Sequence, residues 1–285
     1  MNKSIVITGV SSGIGYATAV ELVKLGYHVF GSVRQAEDGQ RVQAALGERF
    51  TPLLFDVVDH EGIKTAVSQV RAAIGENNLT GLVNNAGISV LGPLMHMALA
   101  EFRQQFEVNL FGLLDVTQQF LPLLGARKNA AAPPGRIVMV GSVSGQIAYP
   151  FFGAYAASKH ALEGLSDSLR RELLRYGIDV SLVEPGTTQT PIIDKAGEQI
   201  SQYRDTDYGD ILHKMQTETV ADRQESAIPV EKVAAIIIEA LLSENPKTRY
   251  PIPRKKLSGW YIPRWLPDRW LDRITAAKLG IDRLD

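Results

Sequence analysis

The stretch Ser4–Gly26, SIVITGVSSGIGYATAVELVKLG, decides how the rest of the chain is read. Ser4–Thr8 is an apolar, β-branched run, too short for a helix, and reads as a strand. It gives way to Gly9, Gly13 and Gly15, and then to a helical pattern over Ile14–Leu25. Gly26, directly after it, supplies a C-terminal stop. A strand that runs through a glycine-rich turn into a helix can open a βαβ unit. The glycines let the backbone turn tightly and let a pyrophosphate approach the helix N-terminus, where N–H groups are unpaired and the dipole is positive. The spacing, Gly-x-x-x-Gly-x-Gly, differs from the commoner Gly-x-Gly-x-x-Gly. On these residues alone, a tight turn without a ligand is the competing reading.

The alternation continues outward from there. His28–Val33, Pro52–Phe55, Gly81–Asn84, Arg136–Val140 and Val180–Val183 read as strands; Gln40–Leu46, Gly62–Ile74, Leu99–Leu123, Ala154–Tyr176 and Val230–Leu242 carry helical patterns. This order predicts an α/β fold: a Rossmann-like, doubly wound parallel sheet with helices on both faces. Arg249–Pro253 is a last short strand, and its two prolines place it at an edge. Ala126–Gly135, ending Pro-Pro-Gly, is a loop. No repeat and no domain boundary is visible, so residues 1–285 are expected to form a single domain.

Composition narrows the function classes. The chain is 45% hydrophobic and 21% charged, with a formal net charge of -1, which gives no reason to expect nucleic acid as a partner. It has no cysteine, which excludes disulfides, thiolate catalysis and cysteine-based metal sites. The five histidines show no ligand spacing, and no metal is expected. The opening MNKSIVITG lacks the pattern of a secretory leader, and no apolar run approaches the ~20 residues that span a bilayer. A cytoplasmic location is expected.

The end of the second strand bears on the dinucleotide. An acidic residue there would bind a ribose 2′-hydroxyl, but this chain has Val33-Arg34. The Arg34 guanidinium can clamp a 2′-phosphate, with a hydroxyl from Ser11 or Ser12 beside it. That favours NADP; NAD stays open if Glu37 or Asp38 reaches the ribose instead.

With these residues in view, the chain resembles the short-chain dehydrogenases/reductases of the compact, single-domain type. Thr8–Gly15 is similar to the family's TGxxxGxG, Asn84-Asn85-Ala86-Gly87 to its NNAG, and Tyr155-Ala156-Ala157-Ser158-Lys159 to its YxxxK. Ser142 follows the fifth strand, Asn109 lies in the long fourth helix, and Pro185-Gly186 follows the sixth strand. TGVSSGIG, Val33-Arg34 and the run ASKHALEGLSDSLRRELLRYGIDVSLVEPG resemble the hydroxysteroid and retinol dehydrogenase branch. Thr187-Thr188 departs from the aliphatic residue often found there.

The resemblance implies a catalytic set of Asn109, Ser142, Tyr155 and Lys159. It implies a dinucleotide site of Gly9, Ser11, Ser12, Gly13, Ile14, Gly15, Arg34, Asp56, Val57, Asn85, Ala86, Gly87, Tyr155, Lys159, Pro185, Gly186, Thr188 and Thr190. Tyr155 would exchange a proton with the substrate oxygen, Ser142 would position that oxygen, and Asn109 would hold a water relaying protons to Lys159. Moving a phenol from about 10 towards 7 takes ~4 kcal/mol. An ammonium ~4 Å away at an effective dielectric near 20 supplies about that much. Lys159, one helical turn after Tyr155, is therefore expected to lower the Tyr155 pKa.

Val90, Leu91, Leu94, Tyr149, Phe151, Phe152, Ile192 and Ile193 predict an apolar pocket for a lipophilic ketone, aldehyde or alcohol of steroid, retinoid or aliphatic type. Residues 189–228 read as a substrate lid, and 254–285 as a C-terminal extension. The extension holds all three tryptophans, and the readings open for it are peripheral membrane contact, subunit contact or docking on its own domain. A homodimer or homotetramer is expected by analogy. Two other functions compete: a 3-oxoacyl thioester reductase, and a non-catalytic NADP-sensing protein.

Overall fold

The computed structural model describes residues 3–130, 132–190, 199–216 and 227–281. Seven strands, β1 (Ser4–Ile7), β2 (His28–Val33), β3 (Phe50–Leu54), β4 (Gly81–Asn84), β5 (Arg136–Val140), β6 (Asp179–Pro185) and β7 (Arg249–Ile252), form one sheet in the order β3-β2-β1-β4-β5-β6-β7. Every pairing is parallel, with Ile5 opposite Val29 on one side of β1 and opposite Gly81 on the other.

Both sheet faces are covered, as the near-continuous apolar strands require. Side chains alternate: Ile5 and Ile7 of β1 face one core, and Val6 faces the other. The same split separates Ile137 and Met139 from Val138 and Val140 on β5. One core is closed by helices α3 (His60–Ile74), α5 (Leu113–Phe120) and α6 (Gly153–Leu173), through Ile63, Val70, Phe120, Leu162 and Leu169. The other is closed by α1 (Gly13–Lys24), α2 (Ala36–Leu46) and α7 (Val230–Leu242), through Leu22, Val42, Val233 and Ile237.

The strand and helix expectations hold in type throughout, with differences at the ends. α2 starts at Ala36 because Glu37 and Asp38 sit in its first turn, where the dipole favours acids. α3 starts at His60 because the Asp59 carboxylate accepts from the Gly62 N–H at 3.1 Å and caps it. The helix expected over Leu99–Leu123 is not continuous. α4 (Leu99–Phe106) passes through a π turn over Glu107–Gly112 before α5 begins. Both edge strands carry a proline, Pro52 in β3 and Pro251 in β7, where a missing N–H costs no ladder bond. A final helix, α8 (Asp268–Leu279), follows β7.

The turn from β1 to α1 needs glycine for space. A Cβ on Gly15 would overlap the Gly9 carbonyl oxygen and the Asn85 amide nitrogen, whereas one on Gly164, in α6, would meet nothing within 4 Å. Gly15→Ala is therefore expected to lower the unfolding free energy by about 1–3 kcal/mol, and Gly164→Ala to raise it by about 0.5–1 kcal/mol. Urea denaturation of both variants checks this; a neutral Gly15→Ala would contradict the close approach.

Candidate active site

The sequence-predicted residues gather along the C-terminal ends of the strands. Centrally, β1 neighbours β4, and the chain runs outward from this pair in both directions. Ligands of open α/β sheets bind in the crevice such a switch point creates. Here the Thr8 hydroxyl accepts from the N–H groups of Asn85 and Ala86, both at 2.9 Å. The Asn85 amide returns two bonds, to the carbonyls of Thr8 (2.9 Å) and Gly9 (3.0 Å). The glycine turn and the Asn85-Ala86-Gly87 turn are thus one bonded unit.

Residues around the turn suit an anion. Ser12 stands at the N-cap of α1 in extended conformation and makes no side-chain cap, and the first turn carries no acid. Gly9 and Gly13 adopt left-handed φ of 72° and 60°. The N-terminal N–H groups are thus left to a ligand, and Ile14 lies in the first turn of α1. Thr190 closes over the turn: a Cβ on Gly13 would lie 3.2 Å from its methyl. Arg34 is exposed beyond β2, with its guanidinium 4.0 Å from the Asp56 carboxylate. Val57 is buried beside Asp56. Sequence reasoning missed Arg41 of α2, whose guanidinium donates to the Ser11 carbonyl at 2.7 Å and pairs with Asp38. Its only signal was a second arginine two helical turns beyond Arg34.

On the other side of the crevice, Tyr155 and Lys159 share one face of α6. The Lys159 ammonium is buried, donates to the Val140 carbonyl at 2.8 Å, and lies 5.8 Å from the centroid of the Tyr155 ring. Ser142, just past β5, is buried and close enough to the Tyr155 phenol to pull its pKa down. The Ser142 hydroxyl accepts from the Ser144 N–H at 3.1 Å and donates to the Pro185 carbonyl at 3.4 Å. Gly186 donates to the Ile252 carbonyl, and Thr188 donates its hydroxyl to the Gly186 carbonyl, both at 2.9 Å.

Asn109 lies inside the π turn, buried, with its amide donating to the Ile88 carbonyl (3.0 Å) and accepting from the Ile88 N–H (2.9 Å). Gln105, one turn earlier and unremarked in the sequence, clamps the same loop by accepting from the Val90 N–H at 2.7 Å. Both amides also reach Ser158, which donates to the Tyr155 carbonyl at 2.7 Å. Asn109 and Tyr155 are thereby joined through one hydroxyl. The detectable signal was two amides four residues apart on a helix face that is otherwise core.

The electrostatics correct one expectation. Burial raises the Tyr155 pKa, with Ser142 pulling the other way, and burial lowers Lys159 to about 8. Desolvation outweighs the charge of the lysine, which the sequence argument had taken to dominate. The phenol is accordingly held as a neutral proton donor.

The residues expected around the pocket divide between core and surface. Val90, Leu91 and Phe151 are buried, and Leu91 and Phe151 join Ile200, Tyr203 and Leu212 in a small core cluster. Leu94 and Tyr149 are exposed, and Ile192 and Ile193 lie outside the described residues. Phe151 has a left-handed φ of 69°, a strained conformation that its neighbours must hold. Of the expected lid, residues 199–216 are described, and its base is tied by the pairing of Thr188 with Ile228. Among the described residues no metal-binding group of histidine, aspartate or glutamate is found.

Directly before Pro185, Glu184 is fully buried, and neither carboxylate oxygen finds a donor. Burial, then the charge of Glu163, pushes its pKa up to about 8. A proton on Glu184 resolves the conflict by donating to Glu163, whose other oxygen already accepts from Arg249 at 2.9 Å.

The sequence model of the short chain dehydrogenase family matches residues 3–201. An NADPH-dependent 3-dehydrocapnine reductase from Ornithobacterium rhinotracheale is 41% identical over 94% of each chain. Dehydrogenase/reductase SDR family member 9 from Homo sapiens is 35% identical over 94% of this chain and 86% of its own. The solved structure of a short-chain dehydrogenase from Streptomyces avermitilis superposes with a TM-score of 0.72 at 28% identity, covering 98% of this chain and 95% of that one.

Glu184 also sets a pH dependence. A carboxyl whose pKa rises on folding stabilises most below its ordinary value of 4.5, and the contribution is lost as pH climbs towards about 8. Unfolding free energy is expected to fall as pH rises across that window. Glu184→Gln should flatten the slope; an unchanged slope in urea titrations at several pH values would remove the protonated Glu184.

Proposed function

The chain belongs to the short-chain dehydrogenase family, and on that premise we propose that it reduces a lipophilic ketone or aldehyde to its alcohol with NADPH. The observation that carries the reading is the pairing of a neutral Tyr155 phenol, with Ser142 next to it, and a buried Lys159 ammonium on one face of α6. A dinucleotide fits the residues present: the α1 N-terminus has no side-chain cap and no acid in its first turn, and it follows a turn that Gly9 and Gly13 carry through left-handed φ. Gly9–Gly15 would hold its pyrophosphate, Arg34 the 2′-phosphate, Asp56 and Val57 the adenine end, and Asn85–Gly87, Pro185, Gly186, Thr188 and Thr190 the nicotinamide end. When bound, it supplies the hydride.

The chain's own part is to place the substrate oxygen and the proton. Ser142 hydrogen-bonds the carbonyl oxygen and Tyr155 donates its phenolic proton to that oxygen. Lys159, anchored on the Val140 carbonyl, fixes a positive charge near the phenolate left behind. Asn109, held rigidly by Ile88 and Ser158, seats a water through which the proton is replaced. NADPH over NADH is supported by Arg34 and by the stated cofactor of the 3-dehydrocapnine reductase. A lipophilic substrate is supported by the apolar cluster around Leu91 and Phe151. A homodimer or homotetramer through the long helical stretches of residues 99–123 and 154–176 completes the reading.

Purified protein assayed against a panel of ketones is expected to oxidise NADPH. Tyr155→Phe should lower kcat about a hundredfold or more; equal rates in both proteins would overturn the mechanism. Arg34→Ala should raise the KM for NADPH about tenfold and leave that for NADH nearly unchanged. A matching loss with both cofactors would show that Arg34 reads no 2′-phosphate.

A further inference from the structure

Residues 254–281 supply none of the proposed catalytic residues, yet two anchors hold them to the domain. At the near end Trp260 is buried, and the Arg264 guanidinium lies 4.7 Å from its ring centroid. At the far end Leu279 and Ile281 pack on the cluster of Leu91, Phe151, Ile200, Tyr203 and Leu212. Between these points the chain turns large apolar side chains to water. Trp265 is 84% exposed and Trp270 61%, and Tyr261, Ile262 and Ile274 are exposed with them. On α8, Trp270 and Ile274 stand one turn apart on a common face.

A run of aromatic side chains left exposed on an otherwise docked segment marks an interaction surface. Its charge selects the partner. Residues 254–281 hold seven Lys/Arg (254, 255, 256, 264, 269, 273 and 278) against two aspartates, in a chain whose formal net charge is -1. A second copy pairing through this face would set one net-positive surface against another, and like charges opposed across an interface repel. An anionic bilayer satisfies both halves of the surface: tryptophan and tyrosine settle at the headgroup level, and each Lys/Arg near the surface adds about 1 kcal/mol. None of the helices among the described residues is long and apolar enough to cross a membrane, so the segment would lie on the bilayer.

We propose that Tyr261, Ile262, Trp265, Trp270 and Ile274, with the basic residues around them, dock this protein on anionic lipid. The anchored end of the segment touches the cluster beside the site, so docking brings the substrate pocket to the bilayer, where lipophilic carbonyl compounds concentrate. That last use rests on the reductase reading; the docking does not.

The test is co-sedimentation of the full chain with phosphatidylcholine vesicles, with and without phosphatidylglycerol. Tryptophan emission and NADPH turnover on a water-soluble ketone are followed in parallel. Binding at least tenfold stronger to the anionic vesicles, with a blue shift, is expected. W265A/W270A should lose about tenfold in binding and R269E/R273E should lose the preference for anionic lipid, both with turnover intact. Absence of sedimentation, or either variant binding like the parent, would overturn the proposal. So would a dimer, seen by light scattering, that W265A/W270A splits, because the face would then belong to a second copy. Vesicle binding without turnover would sink the reductase reading and leave the docking standing; turnover without vesicle binding would do the reverse.

Discussion

The Thr8 hydroxyl and the Asn85 amide hold the molecule's working end together. β1 and β4 are neighbours, but the chain leaves them for opposite sides of the sheet, so their C-terminal ends open into a crevice. Backbone groups at such an opening would face water or one another without fixed geometry. Four hydrogen bonds between Thr8-Gly9 and Asn85-Ala86 remove that freedom. The glycines act in the same place by subtraction: the Asn85 amide occupies the space that a Cβ on Gly15 would need. A rigid rim, with an uncapped helix N-terminus behind it, is what a large anion requires of a receptor.

Across the crevice, the chemistry is set by burial more than by charge. The sequence argument weighed one ammonium against the ionisation of one phenol and found the magnitudes matched. It left out the cost of taking both groups out of water. In the folded chain that cost acts on both at once, raising Tyr155 and lowering Lys159 to about 8. Lys159 offsets part of its own cost through the Val140 carbonyl. A phenol that keeps its proton is matched to a reaction in which negative charge develops on a substrate oxygen within its reach. In the proposed reduction the lysine would matter most after proton transfer, when the phenolate needs a counter-charge.

How much was legible in advance follows from how local each signal is. Strands with β-branched runs, the helices between them, and the edge position of the proline-bearing β7 could be read from short windows. So could the motifs that the fold gathers around the crevice, because Gly9–Gly15, Asn85–Gly87 and Tyr155–Lys159 are contiguous stretches on fixed elements. What escaped depends on contacts between distant segments. Gln105 looks like one more polar residue of a helix until the fold brings Val90 against it. Ser158 looks like a small spacer until Asn109 and Gln105 converge on it. Glu184 looks like an ordinary carboxylate on a strand, and only the packing of α6 and β7 shows that it faces Glu163 without a donor. The π turn was likewise invisible: it changes the helical phase at Asn109 without any glycine or proline inside α4 to announce it.

The three tryptophans illustrate the same division and extend it. In the sequence they are equivalent, each ten or fewer residues from the next and each near a basic residue. The fold sorts them. β7 is an edge strand, and a groove beside it is lined by Ile236, Tyr250, Pro251 and Trp260. Trp260 therefore has a structural task, sealing an edge whose strand already carries a proline. Trp265 and Trp270 have no such task, since the segment is already fixed at both ends by Trp260 and by Leu279 and Ile281. Their exposure therefore points outward from the domain, and the surplus of basic residues around them sets the sign of charge that any partner must carry.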